Sequence, residues 1–205
     1  MRRSIGAGLG VTLLAVVCLP GCLSRIPPAA AEEDLDLGPV ADFSLTERGG
    51  RTVSRDDLLG KVWVASFIFT RCAGPCSQVS GSMARLQKEL EGQKDVALVT
   101  FTVDPEYDTP KVLQGYAARF GADPERWLFL TGDRDKVYPL IRESFHLGVE
   151  QTQGTARTPG NEVTHSTRLA VVDRRGHVRG YFDGTQPEDL PLLRQRVAAL
   201  VREKP

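Results

Sequence analysis

Two apolar runs organise this chain. Val62 to Thr70 (VWVASFIFT) and Val96 to Val103 are nearly uninterrupted and rich in β-branched and aromatic side chains. That pattern predicts two strands buried on both faces. Around them the period changes. Val79, Met83, Leu86 and Leu90 recur at helical spacing, and Gly92 closes that helix. Pro110 opens a second helix bearing Leu113, Tyr116, Ala117 and Phe120; Val137, Leu140, Ile141 and Phe145 mark a third. Trp127 to Leu130 reads as a short strand. Phe43 to Ser54 reads as a hairpin turning at Glu47-Arg48-Gly49-Gly50, followed by a helical turn from Asp56 to Leu59. Leu169 to Val172 and Val178 to Phe182 flank Asp173-Arg174-Arg175-Gly176, a second hairpin. Leu190, Leu193, Val197 and Leu200 end the chain as a helix. Residues 148–163, rich in Gly, Thr, Gln and Pro, are expected to form a long loop.

The order predicts an α/β fold of thioredoxin-like type: a mixed, largely parallel central sheet flanked by helices, with an N-terminal β-hairpin. Right-handed crossovers put the loop after the first long strand at the carboxyl edge of the sheet. That loop holds Cys72 and Cys76.

The N-terminus follows another pattern. Arg2 and Arg3 precede an uncharged apolar run from Ile5 to Val17, which is short for a membrane span and has the layout of a signal peptide. It ends in Leu19-Pro20-Gly21-Cys22, which looks like a bacterial lipobox. The expectation is cleavage before Cys22, lipid on its sulfur, and export to the periplasmic or extracytoplasmic side of a bacterial membrane. Residues 1–21 would then be the signal peptide and residues 22–39, mixing proline, alanine and acids, a flexible tether. The domain is expected to cover residues 40–205. Of four cysteines, Cys18 would leave with the signal and Cys22 would be lipidated, so Cys72 and Cys76 become the working thiols.

Composition narrows the partners. The 205 residues carry 26 basic and 26 acidic side chains, for a formal net charge of zero, and the arginines are scattered. This excludes the electrostatic footprint of a nucleic-acid binder. A monomer is expected.

The cysteine pair supports three chemistries. Two residues four apart on a helix have Cα atoms roughly 6.2 Å apart, near the upper end of the disulfide range. The pair could cycle as a disulfide, hold a metal through soft thiolates, or staple a loop, though closing so short a loop gains little. A helix N-terminus and the neighbouring Arg71 should lower the thiol pKa. Pro75 suits a first helical position, which leaves Cys72 in the loop ahead of it. Among the histidines, His146 at a helix end reads as structural and His177 in a hairpin as solvated. His165 enters the strand expected to face the cysteine loop, which makes it the candidate third ligand. Asp104 and Arg71 stand as residues that could tune the metal or the thiols. Asp108 or Thr109 reads as a helix cap, and Asp173 and Asp183 as hairpin-end residues.

Four segments in order now identify a resemblance to the Sco/SenC copper-chaperone family. They are Phe67-Ile68-Phe69-Thr70-Arg71-Cys72 with Cys76; Asp104-Pro105-Glu106-Tyr107-Asp108-Thr109-Pro110; Trp127-Leu128-Phe129-Leu130-Thr131-Gly132; and His165-Ser166 with Val172-Asp173. The resemblance spans about Val40 to the C-terminus. It implies a thioredoxin-like domain tethered on the outer side of a membrane. It implies one copper ion, as Cu(I) or Cu(II), bound by Cys72, Cys76 and His165, with the two sulfurs also acting as a redox couple. The implied client is the binuclear copper site of cytochrome c oxidase subunit II or a similar exported copper protein, served by copper delivery, cysteine reduction, or both. The alternative is an exported thiol–disulfide oxidoreductase with no copper role. One departure stands out: the family commonly has proline after each cysteine, and this chain has Ala73 and Ser77, with Pro75 before the second cysteine.

Overall fold

The computed structural model describes residues 35–203. The N-terminal apolar run, Cys18, Cys22 and most of the expected tether lie outside the described residues. The elements are β1 (Ser44–Glu47), β2 (Thr52–Ser54), β3 (Val62–Ile68), α1 (Cys76–Glu89), β4 (Val96–Thr102), α2 (Pro110–Arg119), β5 (Trp127–Thr131), α3 (Arg134–Pro139), β6 (Val149–Gln151), β7 (Val163–His165), β8 (Arg168–Val172), β9 (Val178–Asp183) and α4 (Asp189–Arg202). A seven-stranded sheet runs in the order β2-β1-β5-β4-β3-β8-β9. β3, β4 and β5 are parallel; the hairpin β1–β2 joins β5, and β8–β9 joins β3, all antiparallel. The sheet is thus mixed as expected, with its parallel part confined to the three central strands.

The central strands are buried along their whole length, which explains their unbroken apolar sequences. On one face Trp63, Phe67 and Phe101 pack with Phe145, whose ring centroid is 5.0 Å from that of Phe67. Side chains of this size stabilise by roughly 1.5–3 kcal/mol each when fully buried. The other face carries α1, α2 and α4. A polar seam there is paired: Ser66 and Thr100 hydroxyls lie 2.7 Å apart across β3 and β4, and the Trp127 indole N–H donates to Thr100 over 2.8 Å.

Three local expectations are corrected. The third helix changes type part-way. Pro139 lies inside it without an N–H to give, and Leu140–Ser144 continue as a π-type turn. The expected loop at 148–163 contains β6, which pairs with β7 as a separate two-stranded ribbon. The domain also begins before residue 40. Leu37 N–H donates to the Val178 carbonyl, and Asp36 meets His177 Nδ1 at 2.9 Å. The last residues of the expected tether are therefore tied to β9, and His177 anchors them rather than standing free in solvent.

Candidate metal and redox site

The parallel pairing of β3 and β4 brings two loops to one sheet edge. Thr70, two residues after β3, gives its backbone N–H to Asp108 Oδ2 over 3.0 Å, and its hydroxyl bonds the same carboxylate. Asp108 is wholly buried and also accepts from the Thr102 hydroxyl at 2.5 Å. Burial pushes its carboxyl above the usual range, against those hydrogen bonds. Of the two expected caps, Thr109 performs that role, accepting from Val112 N. Asp108 instead braces the entry to the cysteine loop.

Cys76 is the first residue of α1 and is 1 % exposed; Cys72 lies half-buried in the preceding loop, and both thiols are free. β8 runs antiparallel to β3 with Ala65 opposite Ala170, so the chain just ahead of β8 returns beside the end of β3. This places His165, the last residue of β7, at the cysteines. Its Nε2 is 3.3 Å from Cys76 Sγ, and its ring stands edge-on to Phe69 with centroids 5.7 Å apart. Its Nδ1 is 2.9 Å from the Ser166 carbonyl. A carbonyl only accepts, so Nδ1 carries a hydrogen, which leaves Nε2 as the nitrogen that can offer a lone pair to Cys76 Sγ.

The two thiols are electrostatically unequal. The Cys72 pKa is pulled down to about 4, first by the hydrogen bond from Cys76, then by the backbone N–H groups of Cys76 and Gly74, against partial burial. Cys76 is pushed up, by the neighbouring Cys72 thiolate and by burial. The pair therefore holds one thiolate, on Cys72, and one proton, on Cys76. The helix N-terminus contributes as expected. Arg71 is engaged by other partners: its guanidinium pairs with Asp104 at 2.5 Å and Glu162 at 3.1 Å and lies 4.0 Å from the Tyr107 ring centroid.

Among the described residues, no three His, Cys, Asp or Glu side chains already surround a ligating point. Cys72, Cys76 and His165 meet as hydrogen-bond partners instead. Their chemistry suits a soft metal: one thiolate ready, one thiol whose proton a metal would displace, and one imidazole nitrogen with its lone pair aimed at the sulfurs. The second imidazole nitrogen is held by a carbonyl, the usual support of a metal-bound histidine. A depression of about 420 Å³, bordered by Phe69, Cys72, Pro75, Gly160 and His165, opens the group to the surface. His146 takes no part in it; it has φ +48° at the end of the π-type turn, a helix-ending conformation. Asp173 and Asp183 organise their own turns by accepting from nearby N–H groups.

Residues 32–201 match the SCO1/SenC family model. The chain belongs to the SCO1/SenC family. It is 33 % identical over 149 residues to a SCO1 protein homolog of Bacillus subtilis, covering 72 % of this chain and 75 % of that protein. It is 30 % identical over 145 residues to a Stutzerimonas stutzeri protein named for copper binding, covering 70 % and 68 %. Among solved structures, a SCO1/SenC family lipoprotein from Bacillus anthracis has a TM-score of 0.73 at 29 % identity, covering 80 % of this chain and 95 % of that one. BsSco, described as a member of the Sco family of cytochrome c oxidase assembly proteins with a disulfide switch, has a TM-score of 0.71 at 29 % identity, covering 83 % and 98 %. The thioredoxin-like α/β fold expected from the sequence is the fold of these proteins.

Two residues at the site escaped sequence reasoning. Glu162 is 6 % exposed and ties Arg71 to the loop before β7. Tyr116 Oη donates to the Cys76 carbonyl over 3.4 Å and lies 2.9 Å from the Ser80 hydroxyl, bracing the first turn of α1 from beneath. Helical periodicity identified Tyr116 as a core residue and gave no sign of this contact.

Proposed function

We propose that this protein is a membrane-tethered copper chaperone that serves the binuclear copper site of cytochrome c oxidase subunit II. It carries one copper ion on Cys72, Cys76 and His165. The observation that carries this reading is the His165 Nε2 lone pair 3.3 Å from Cys76 Sγ, fixed by the Nδ1 contact to Ser166. A dithiol used only for electron exchange needs no imidazole so placed. The copper-binding relative and the oxidase-assembly role of BsSco support the same reading. The lipobox at Cys22 and the B. anthracis lipoprotein support a lipid anchor and an extracytoplasmic domain. No helix of the described residues is long and apolar enough to cross a membrane.

A second activity has its own observation. The Cys72 thiolate beside a protonated Cys76 is the charge state of an attacking dithiol. Attack on a client disulfide would form a mixed disulfide; Cys76 would then release the client as a dithiol. Cys72 and Cys76 would supply the two electrons and become a disulfide, and the Cys76 proton with one more from solvent would complete the two client thiols.

Mixing experiments separate the roles. The copper-loaded reduced protein is added to reduced, metal-free subunit II domain, and the metal-free reduced protein to the oxidised domain. Appearance of the binuclear-copper absorption in the first supports delivery; appearance of free client thiols in the second supports reduction. Neither signal, with copper chelates as positive control, would overturn the proposed client.

A further inference from the structure

His165 is not fixed by the main sheet. It ends β7, and the β6–β7 ribbon is not hydrogen-bonded into the seven-stranded sheet. Two other contacts join the segment before β7 to the cysteine loop. Arg71 Nη1 pairs with Glu162 Oε1 at 3.1 Å, while Glu162 Oε2 accepts the Gly160 N–H at 3.0 Å. The Gly160 carbonyl then accepts the Ala73 N–H at 3.1 Å. Together these contacts make a closed ring through Arg71, Glu162, Gly160 and Ala73, with Cys72 on the chain between Arg71 and Ala73. Arg71 is anchored on its other side by buried Asp104.

The ring has little slack. Gly160 has φ +84°, in the left-handed region, and a Cβ there would lie 2.5 Å from the Ala73 Cβ. The departure at position 73 gains a physical meaning here. A proline after the first cysteine has no N–H to give the Gly160 carbonyl, whereas Ala73 does.

We propose that this ring is a clamp that positions His165 over the cysteines, with Arg71, Glu162, Gly160 and Ala73 as positioning residues for copper binding. It rests on the copper reading above. None of the four touches the metal; they act by holding the loop that delivers the imidazole. Supporting residues of this kind are worth about 10–100-fold in metal affinity.

The test uses the full reduced protein, Cu(I) with a competing chelator, and amide hydrogen exchange. Glu162→Ala and Gly160→Ala are each expected to weaken Cu(I) binding by about tenfold or more and to speed exchange across residues 157–165. Glu162→Gln, which keeps an acceptor for the Gly160 N–H, should lose less. In a His165→Ala background the same changes should cost no further affinity, an outcome that general damage to the fold would not give. Wild-type affinity and exchange in both Glu162→Ala and Gly160→Ala would overturn the clamp. Failure of the wild-type protein to bind copper would instead sink the copper reading, and hydrogen exchange alone would then decide whether the ring holds the loop.

Discussion

The inequality of the two thiols can be tested by removing the donor that creates it. Cys76 makes the largest contribution to lowering the Cys72 pKa to about 4. A hydrogen bond to a charged group contributes about 1.5–3 kcal/mol, and one pKa unit corresponds to about 1.4 kcal/mol. Cys76→Ala should therefore raise the Cys72 pKa by about one to two units. The backbone N–H groups of position 76 and Gly74 remain and keep it below an ordinary thiol. The assay is the pH dependence of iodoacetamide labelling, read by peptide mass spectrometry. In the wild type Cys72 should label at a rate nearly constant through the neutral range and falling only in acid, while buried, protonated Cys76 labels slowly. In Cys76→Ala the Cys72 profile should move towards neutral pH. A wild-type Cys72 profile that rises only in alkali, or one that Cys76→Ala leaves in place, would refute the assignment of the thiolate.

Three further outcomes follow from the framework around the site. Asp108→Ala strands the Thr70 N–H and two threonine hydroxyls, so urea unfolding should show a loss of about 3 kcal/mol, and a loss below about 1 kcal/mol would remove Asp108 as the brace. Thr100→Val keeps the shape but leaves the Trp127 indole N–H and the Ser66 hydroxyl unpaired; it should cost about 1–3 kcal/mol by the same assay, and a neutral result would contradict the seam. Burial opposes ionisation of Asp173, but the His177 and Arg175 N–H groups and the Arg179 guanidinium outweigh it and hold its carboxyl below the usual range. Its stabilisation is therefore present above the unfolded carboxylate value of about 3.9 and lost as pH falls through the lower folded value. The stability gap between wild type and Asp173→Asn should close in acid, and a gap unchanged from neutral pH to below that range would contradict the pairing.

What the sequence disclosed depended on how local each signal was. β3 and β4 were plain because strands buried on both faces need unbroken apolar runs. The cysteine loop was placed correctly because right-handed crossovers leave little choice of edge. His165 was found from its position just ahead of a strand that flanks β3. β6 was missed because three residues, only one of them buried, give too short an alternation to stand out in a polar segment. The partners of Arg71 were not legible because sequence shows only its neighbour Cys72, whereas Asp104 and Glu162 come from two distant loops. The apolar spacing of Val137, Leu140, Ile141 and Phe145 marked the buried face of the third helix but gave no sign that its hydrogen bonding changes after Pro139.

The central claim is that Cys72, Cys76 and His165 form one copper site, although His165 lies 89 residues beyond Cys76. Titration of the reduced protein with Cu(I) against a competing chelator, for wild type and His165→Ala, tests it most directly. The account predicts one tightly bound equivalent in the wild type and an affinity loss of about tenfold or more in His165→Ala. Equal affinity in the two proteins, or no binding by the wild type, would contradict it.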